Sequence, residues 1–382
     1  MNAREDFPIL NKNIIYLDSA CQALKPKQVI NKINEYYNEY PACAGRSSHQ
    51  LSNRVNEEIY KTREIIAKFF NTKKENVVFT RNTTESINIV ASNFKGKNIL
   101  ISDKEHNSNL LPWLKYKCKL KILNSNKDNT FNLEGFKNNI KDIDLAAIHH
   151  ISNLDGVINP IKEIIKIAHE NKALVLIDAA QSAGHTEINS NKLDIDFLAC
   201  SGHKMLGPTG TGLLIAKKEL LEKLEPLNLG GGTVIDSNYD NYKYEEIPLR
   251  FEAGLQDYAG IIGLGEAVNY LRKIGFSNIE KNELQLNKIL TQELIDKVQL
   301  IGPEEHRLRP SIFSFNIKKF SALDVAGILN SSKNICIRSG AHCVHSWFNK
   351  HNLKGSARAS LYLYNNEKDI NIFIEEIKKL IK

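Results

Sequence analysis

The stretch PIKEIIKIAHENKALVLID, residues 160–178, sets a helix pattern directly before a strand pattern. Proline suits the first turn of a helix, where its missing N–H has no partner to lose. Ile161, Ile164, Ile165 and Ala168 then recur on one helical face. LVLID (174–178) is a short apolar run that reads as a buried strand. The same alternation extends on both sides. NVVFT (76–80), NILIS (98–102), LAAIHHI (145–151) and DFLAC (196–200) read as buried strands, with helix-length segments between several of them. Strand–helix alternation implies a mostly parallel sheet covered by helices, an α/β fold. TGLLIA (211–216) follows DFLAC too closely for a crossover helix, so an antiparallel pairing between them is expected. Lys117, Lys119 and Lys121 alternate and are expected to point off a strand edge. Gly230 to Arg250 has little periodicity and reads as a long loop.

After about Gly265 the character changes. Helical patterns at 266–274 and 278–298 lead to SIFSFNI (311–317), a strand by its alternation. Helices follow at 321–330 and 367–381, the last with Ile370, Phe373, Ile374, Ile377 and Ile381 on one stripe. This tail is α+β. The expected division is a large domain over 14–265 and a smaller one made of 1–13 and 266–382.

The bulk composition excludes several function classes. The 382 residues are 42% hydrophobic and 25% charged, an ordinary globular mixture. The net charge of +7 is dispersed, without a block of five like charges, so no nucleic-acid footprint is expected. No apolar run is long enough to span a bilayer, and the N-terminus lacks the apolar core of a secretory signal. A cytoplasmic protein without membrane partners is expected. Its six cysteines (Cys21, Cys43, Cys118, Cys200, Cys336, Cys343) have no paired spacing and should be mostly reduced there.

In open α/β sheets the ligand lies beyond the carboxyl ends of the strands. The polar residues at those ends are Thr83, Thr84, His106, Asn153, Asp178, Gln181, Ser201, His203 and Lys204. Each alone has an ordinary reading. Thr83 and Thr84, followed by Glu85, start a helix over 84–94 as a cap, and an aspartate at a strand end is commonly a cap as well. Together they fit one reagent. LACSGHKMLGPTGTG (198–212) is no P-loop, because Lys204 precedes the glycines and Met205 follows it. Lys204 can instead form a Schiff base, Asp178 can pair with a pyridine nitrogen, and hydroxyls at a helix start can hold a phosphate. That set is what pyridoxal phosphate requires.

A series of motifs in order carries a family resemblance: YLDSA (16–20), RNTTESIN (81–88), EHNSN (105–109), ISNLDG (151–156), IDAAQS (177–182), SGHKMLGPTGTG (201–212), RFEAG (250–254), RSGAHC (338–343) and RASLYLYNN (358–366). The chain resembles the class V, fold-type I pyridoxal phosphate enzymes, and within them the group II cysteine desulfurases of the SUF iron–sulfur system. The resemblance implies a large domain with a mostly parallel seven-stranded sheet, a homodimer, L-cysteine as substrate, and a sulfur-acceptor or iron–sulfur scaffold protein as partner. It implies that Lys204 is the imine lysine and that His106 stacks on the cofactor ring. Asp178 would pair with the ring nitrogen and Gln181 with the phenolic oxygen. Thr84, Ser201 and His203 would hold the phosphate, with Thr83 nearby. Asn153 and Arg358 would bind the substrate carboxylate, His49 would stand near the entrance, and Cys343 would take the sulfur as a persulfide.

The chain also departs from the family pattern. Leu255 in EAGLQD (252–257) replaces a threonine whose hydroxyl reaches the partner subunit's phosphate. Ala341 replaces a common histidine, and VHSWF (344–348) is atypical. His342, Cys343 and His345 could suggest a metal, but no second ligand cluster accompanies them, so none is expected. Cys343 has polar and basic neighbours, which favour a thiolate. Cys21 is the next candidate thiol and reads as structural. A selenocysteine lyase or another class V enzyme, and a non-catalytic assembly subunit, remain the alternatives at this level.

Overall fold

The computed structural model describes residues 3–382. Its central sheet has seven strands in the order Val77–Thr80, Gly212–Ala216, Phe197–Ser201, Leu174–Asp178, Leu145–His149, Asn98–Ser102 and Lys119–Leu123. Every pairing is parallel except those of Gly212–Ala216, which runs antiparallel to both neighbours. The close spacing after DFLAC therefore produces the expected antiparallel return. Lys119–Leu123 is one of the two edge strands, with Lys119 and Lys121 exposed.

Helix Ile161–Glu170 buries Ile161, Ile164, Ile165 and Ala168 on the sheet. Apolar cores lie on both of the sheet's faces, which is why its inner strands are apolar without alternation. A second sheet, in the order Gln299–Ile301, Ile312–Asn316, Ser356–Ser360 and Arg338–Gly340, is antiparallel throughout. Helices Phe276–Leu294, Ala322–Lys333 and Glu367–Ile381 contribute to its core.

Apolar contacts cross the expected domain boundary. Ala3, Phe7 and Leu10 join the core of the large sheet, whereas Ile15 and Leu17 join the core of the smaller one. Strand Ile15–Tyr16 pairs in parallel with Ile335–Cys336, so the N-terminal segment ties the two units together.

Two elements differ from expectation. Residues 230–250 are not all loop, since Val234–Ser237 and Tyr242–Tyr244 form an antiparallel hairpin. Most of its residues are exposed, so no buried face imposed an apolar period. The helix expected from 266 begins at Tyr258 and runs to Ile274. Its first turns are buried on nearly every side, which erases the one-faced pattern. Among the described residues, no helix is long and apolar enough to cross a membrane.

Candidate active site

The carboxyl ends of the parallel strands open into a cleft of about 260 Å³. Thr83, Thr84, His106, Asn153, Asp178, Gln181, Ser201, His203, Lys204 and Arg358 all line it. Asp178 ends strand Leu174–Asp178, and Lys204 lies in a single 3₁₀ turn directly after Phe197–Ser201. Arg358 comes from the middle of Ser356–Ser360, so the second sheet supplies one wall.

The hydroxyl groups of the cleft bond one another. Thr83 N and Thr83 Oγ1 lie 2.9 and 2.7 Å from Ser201 Oγ, and Thr84 Oγ1 lies 2.7 Å from Ser108 Oγ. They stand at the first turn of helix Thr83–Ser92, an anion-favouring end. The cap of that helix is Asn82, not a threonine: its Oδ1 accepts from Glu85 N at 3.0 Å. Both threonines are thereby released from capping.

Burial pushes the Lys204 amine down to about 8; Asp178 opposes this and Arg358 adds to it. Burial pushes the Asp178 carboxyl up to about 6, although Ala180 N donates to it at 2.9 Å. His106 is brought down to about 3, by burial first and by Lys204 second, so its ring is neutral at pH 7. Its Nδ1 accepts from Ser108 N at 3.1 Å, which places the ring proton on Nε2. Gln181 donates from Nε2 to Ala20 O at 2.7 Å and keeps a second N–H.

Arg358 is 1% exposed. Its Nη1 donates to Asn153 O at 2.7 Å and its Nη2 reaches Asp18 Oδ1 at 3.4 Å. Its Nε is buried with no partner. A guanidinium left unsatisfied in this way is suited to a carboxylate acceptor.

Cys343 and His49 do not line the cleft. His49 is exposed, and its Nδ1 caps helix Gln50–Phe69 by accepting from Ser52 N at 3.2 Å. Cys343 is half-buried and directly follows His342, which does line the cleft. Asn153 Nδ2 donates to His342 O at 2.7 Å, and Asn107 N donates to Cys343 O at 2.7 Å. His342 and Cys343 both adopt left-handed backbone angles, with φ of 49° and 59°. Such angles cost about 1–2 kcal/mol per non-glycine residue, and these two ties hold them. The atypical segment after Cys343 anchors the loop: Val344, Trp347 and Phe348 pack with Leu154 and Ile301.

Cys21, expected to be structural, does line the cleft, and Arg338 Nη1 lies 2.8 Å from its sulfur. Ser108, Arg338, His342 and His149 are further lining residues. Of these, His149 is marked in the sequence as a titratable side chain inside an apolar strand. Among the described residues, no group of three or more His, Cys, Asp or Glu side chains is placed to hold a metal.

The match to known proteins runs over nearly the whole chain. The family model for class V aminotransferases matches residues 15–373. The chain belongs to the class V aminotransferase family. It is 39% identical to a probable cysteine desulfurase from Synechocystis, covering 99% of this chain and 95% of that one. It is 37% identical to a probable cysteine desulfurase from Pyrococcus abyssi, covering 100% and 97%. The apo structure of cysteine desulfurase from Thermococcus onnurineus superposes with a TM-score of 0.96 at 37% identity, covering 99% of this chain and 97% of that one.

Pyridoxal phosphate fits the residues present. The cleft offers a lysine amine with a lowered proton affinity, a buried carboxylate for a ring nitrogen, and hydroxyls at a helix start for a phosphate. Gly212 limits how that hydroxyl cluster is built. A Cβ there would lie 2.5 Å from Asn82 Cα and 2.7 Å from Asn82 N. Gly212→Ala is therefore expected to push the turn carrying Thr83 and Thr84 away. Overpacking of this kind costs about 1–3 kcal/mol. A lowered Tm and a cofactor Kd raised about tenfold or more are the expected results. Unchanged values for both would show that the turn tolerates the displacement.

Proposed function

We propose that the chain is a pyridoxal phosphate–dependent cysteine desulfurase, which takes the sulfur of L-cysteine and releases L-alanine. The observation that carries this reading is one cleft joining Lys204, Asp178, His106, Asn153 and Arg358, with the Cys343 loop tied to its rim. Relatives of 37–39% identity over the full length, named probable cysteine desulfurases, support it.

The bound cofactor supplies an electron sink at the substrate Cα. Lys204 is the residue that links it and then moves the α-proton, a role for an amine close to neutrality at pH 8. Asp178 pairs with the ring nitrogen. Thr83, Thr84, Ser201 and His203 hold the phosphate, Gln181 uses its remaining N–H on the phenolic oxygen, and His106 packs on the ring. Arg358 and Asn153 fix the substrate carboxylate. The Cys343 thiolate attacks the substrate sulfur. An S–S bond forms, the Cβ–S bond breaks, its electron pair goes to Cβ, and a proton completes alanine. His106, with its proton on Nε2, would be the donor that supplies the proton to Cβ as the sulfur departs.

The large domain, from residue 14 to 265, holds the cofactor, and residues 266–382 carry the thiol loop. Two copies pair through the face bearing Gly230, Gly231, Gly254 and Leu255, where exposed Leu229 and Leu255 line one depression. There a backbone N–H replaces the hydroxyl that Leu255 lacks. The persulfide passes to a sulfur-acceptor or iron–sulfur scaffold protein in the cytoplasm.

A second reading of the nucleophile comes from Cys21, which lines the cleft and touches Arg338. Mapping the persulfide separates the two. After one turnover with L-cysteine, alkylation and peptide mapping are expected to place the extra sulfur on Cys343, with or without Cys21→Ala. Extra sulfur on Cys21 would transfer the role to that thiol.

A further inference from the structure

Lys104 and Asp155 meet in the interior, with side chains 2% and 0% exposed and Nζ 2.8 Å from Oδ2. Neither residue lines the cleft. A buried charge is costly unless it is paired and its hydrogen bonds are made. Lys104 Nζ also donates to Asn129 O at 2.5 Å, and Asp155 Oδ1 accepts from Val157 N at 3.2 Å. Replacing such a pair by apolar side chains of like volume is often neutral or stabilising. What the pair adds is geometry, because its hydrogen bond is satisfied only over a narrow range of separations, about 2.7–3.2 Å. Lys104 stands two residues before His106, in the turn after Asn98–Ser102. Asp155 stands two residues after Asn153, in the tight turn between the bridged residues Ile151 and Ile158. The ion pair therefore joins the two turns that carry His106 and Asn153.

Both turns also carry the Cys343 loop. Asn107 N donates to Cys343 O, Asn153 Nδ2 donates to His342 O, and Leu154 packs with Val344, Trp347 and Phe348. The Asp155 turn has little room to shift against the second sheet. A Cβ on Gly156 would lie 2.8 Å from Ile312 Cβ, and one on Gly302 would lie 3.1 Å from Asp155 Cβ. The turn of Lys104 is thus drawn to a fixed neighbour. We propose that Lys104 and Asp155 are positioning residues for the sulfur-transfer step: their ion pair sets the spacing between the His106 and Asn153 turns and so fixes the Cys343 loop at the rim of the cleft. This rests on the reading of Cys343 as the nucleophile.

The test uses the full-length, cofactor-loaded protein. After a single turnover with L-cysteine, rapid quenching, alkylation and peptide mapping give the rate at which persulfide forms on Cys343. Lys104→Met keeps much of the volume and removes the charge. The rate is expected to fall by about 10- to 100-fold, since a misplacement of about 1 Å at reacting groups costs up to about 10²-fold. Cofactor loading should stay at the wild-type level, because Lys204, Asp178 and Thr83 lie on other elements. Cys343, half-buried in the wild type, should alkylate faster in the resting variant. Asp155→Asn keeps an acceptor in the same place and should retain most of the rate. Lys104→Met/Asp155→Leu leaves neither charge unpaired, so its Tm should return towards wild type while the rate stays low; it also serves if the single variant does not fold. A wild-type rate in folded Lys104→Met, or a rate that recovers with the Tm in the double variant, would overturn the proposal, because the pair would then act on stability alone. If sulfur in the wild type maps to a cysteine other than Cys343, the reading of the nucleophile fails instead, and the proposal with it.

Discussion

Lys204→Ala is expected to leave a folded protein that holds its cofactor without a covalent link. Alanine release from L-cysteine should fall by at least about 10³-fold, since a positioned proton-transfer group contributes about 10²–10⁴ and the linking step is lost as well. The size follows from where the amine sits. Burial lowers its proton affinity to about 8, so a large share is neutral at mildly alkaline pH, whereas an ordinary lysine at 10.5 is almost wholly protonated there. The same feature gives a pH dependence in the wild type. Cofactor attachment needs the neutral amine, so its rate should rise about tenfold per pH unit below pH 8 and level off above it. Borohydride reduction of the loaded protein, followed by peptide mapping, measures the link directly. Label on another lysine, or full activity in Lys204→Ala, would contradict the assignment.

Arg358→Lys is expected to raise the KM for L-cysteine by about 10- to 100-fold with a smaller change in kcat, the loss of one charge-assisted hydrogen bond of about 1.5–3 kcal/mol. Arg358 is fully buried, already bonds the Asn153 carbonyl, and holds Nε without a partner. A lysine keeps the charge beside Asp18 but cannot reproduce a planar fork. The retained charge limits the effect on folding, so a measured Tm near wild type should accompany the raised KM. A KM unchanged in a folded variant would assign the carboxylate to another group, of which Arg338 in the same cleft is the first to examine.

Much of this arrangement was legible in the sequence because burial on two faces leaves an unmistakable mark. Strands such as LVLID and DFLAC are apolar throughout, and the polar residue that ends each one has to face whatever lies beyond the sheet. The antiparallel return at Gly212–Ala216 followed from chain length alone. What stayed hidden lacked a burial signal or depended on distant contacts. The hairpin at Val234–Tyr244 is exposed on most positions, so it left no alternation. Helix Tyr258–Ile274 is buried on nearly all sides in its first half, so no stripe marked its start. Asn82 took the capping role assigned to Thr83 or Thr84, a choice settled by the contact of Thr83 with Ser201 on another strand. Cys21 has no functional signal in its local sequence, because Arg338, which touches its sulfur, is more than 300 residues away. Cys343 was expected in a loop of the smaller domain; the left-handed turn at His342 and Cys343 puts the histidine among the lining residues of the cleft and leaves Cys343 half-buried beside it.

Alanine and sulfide released from L-cysteine by the purified, cofactor-loaded protein, with a thiol reductant present, is the measurement that bears most directly on the proposed reaction. Equal amounts of the two products are the expected result, and their formation should cease in Lys204→Ala. A protein that carries its cofactor on Lys204 and yields no alanine from L-cysteine would contradict it.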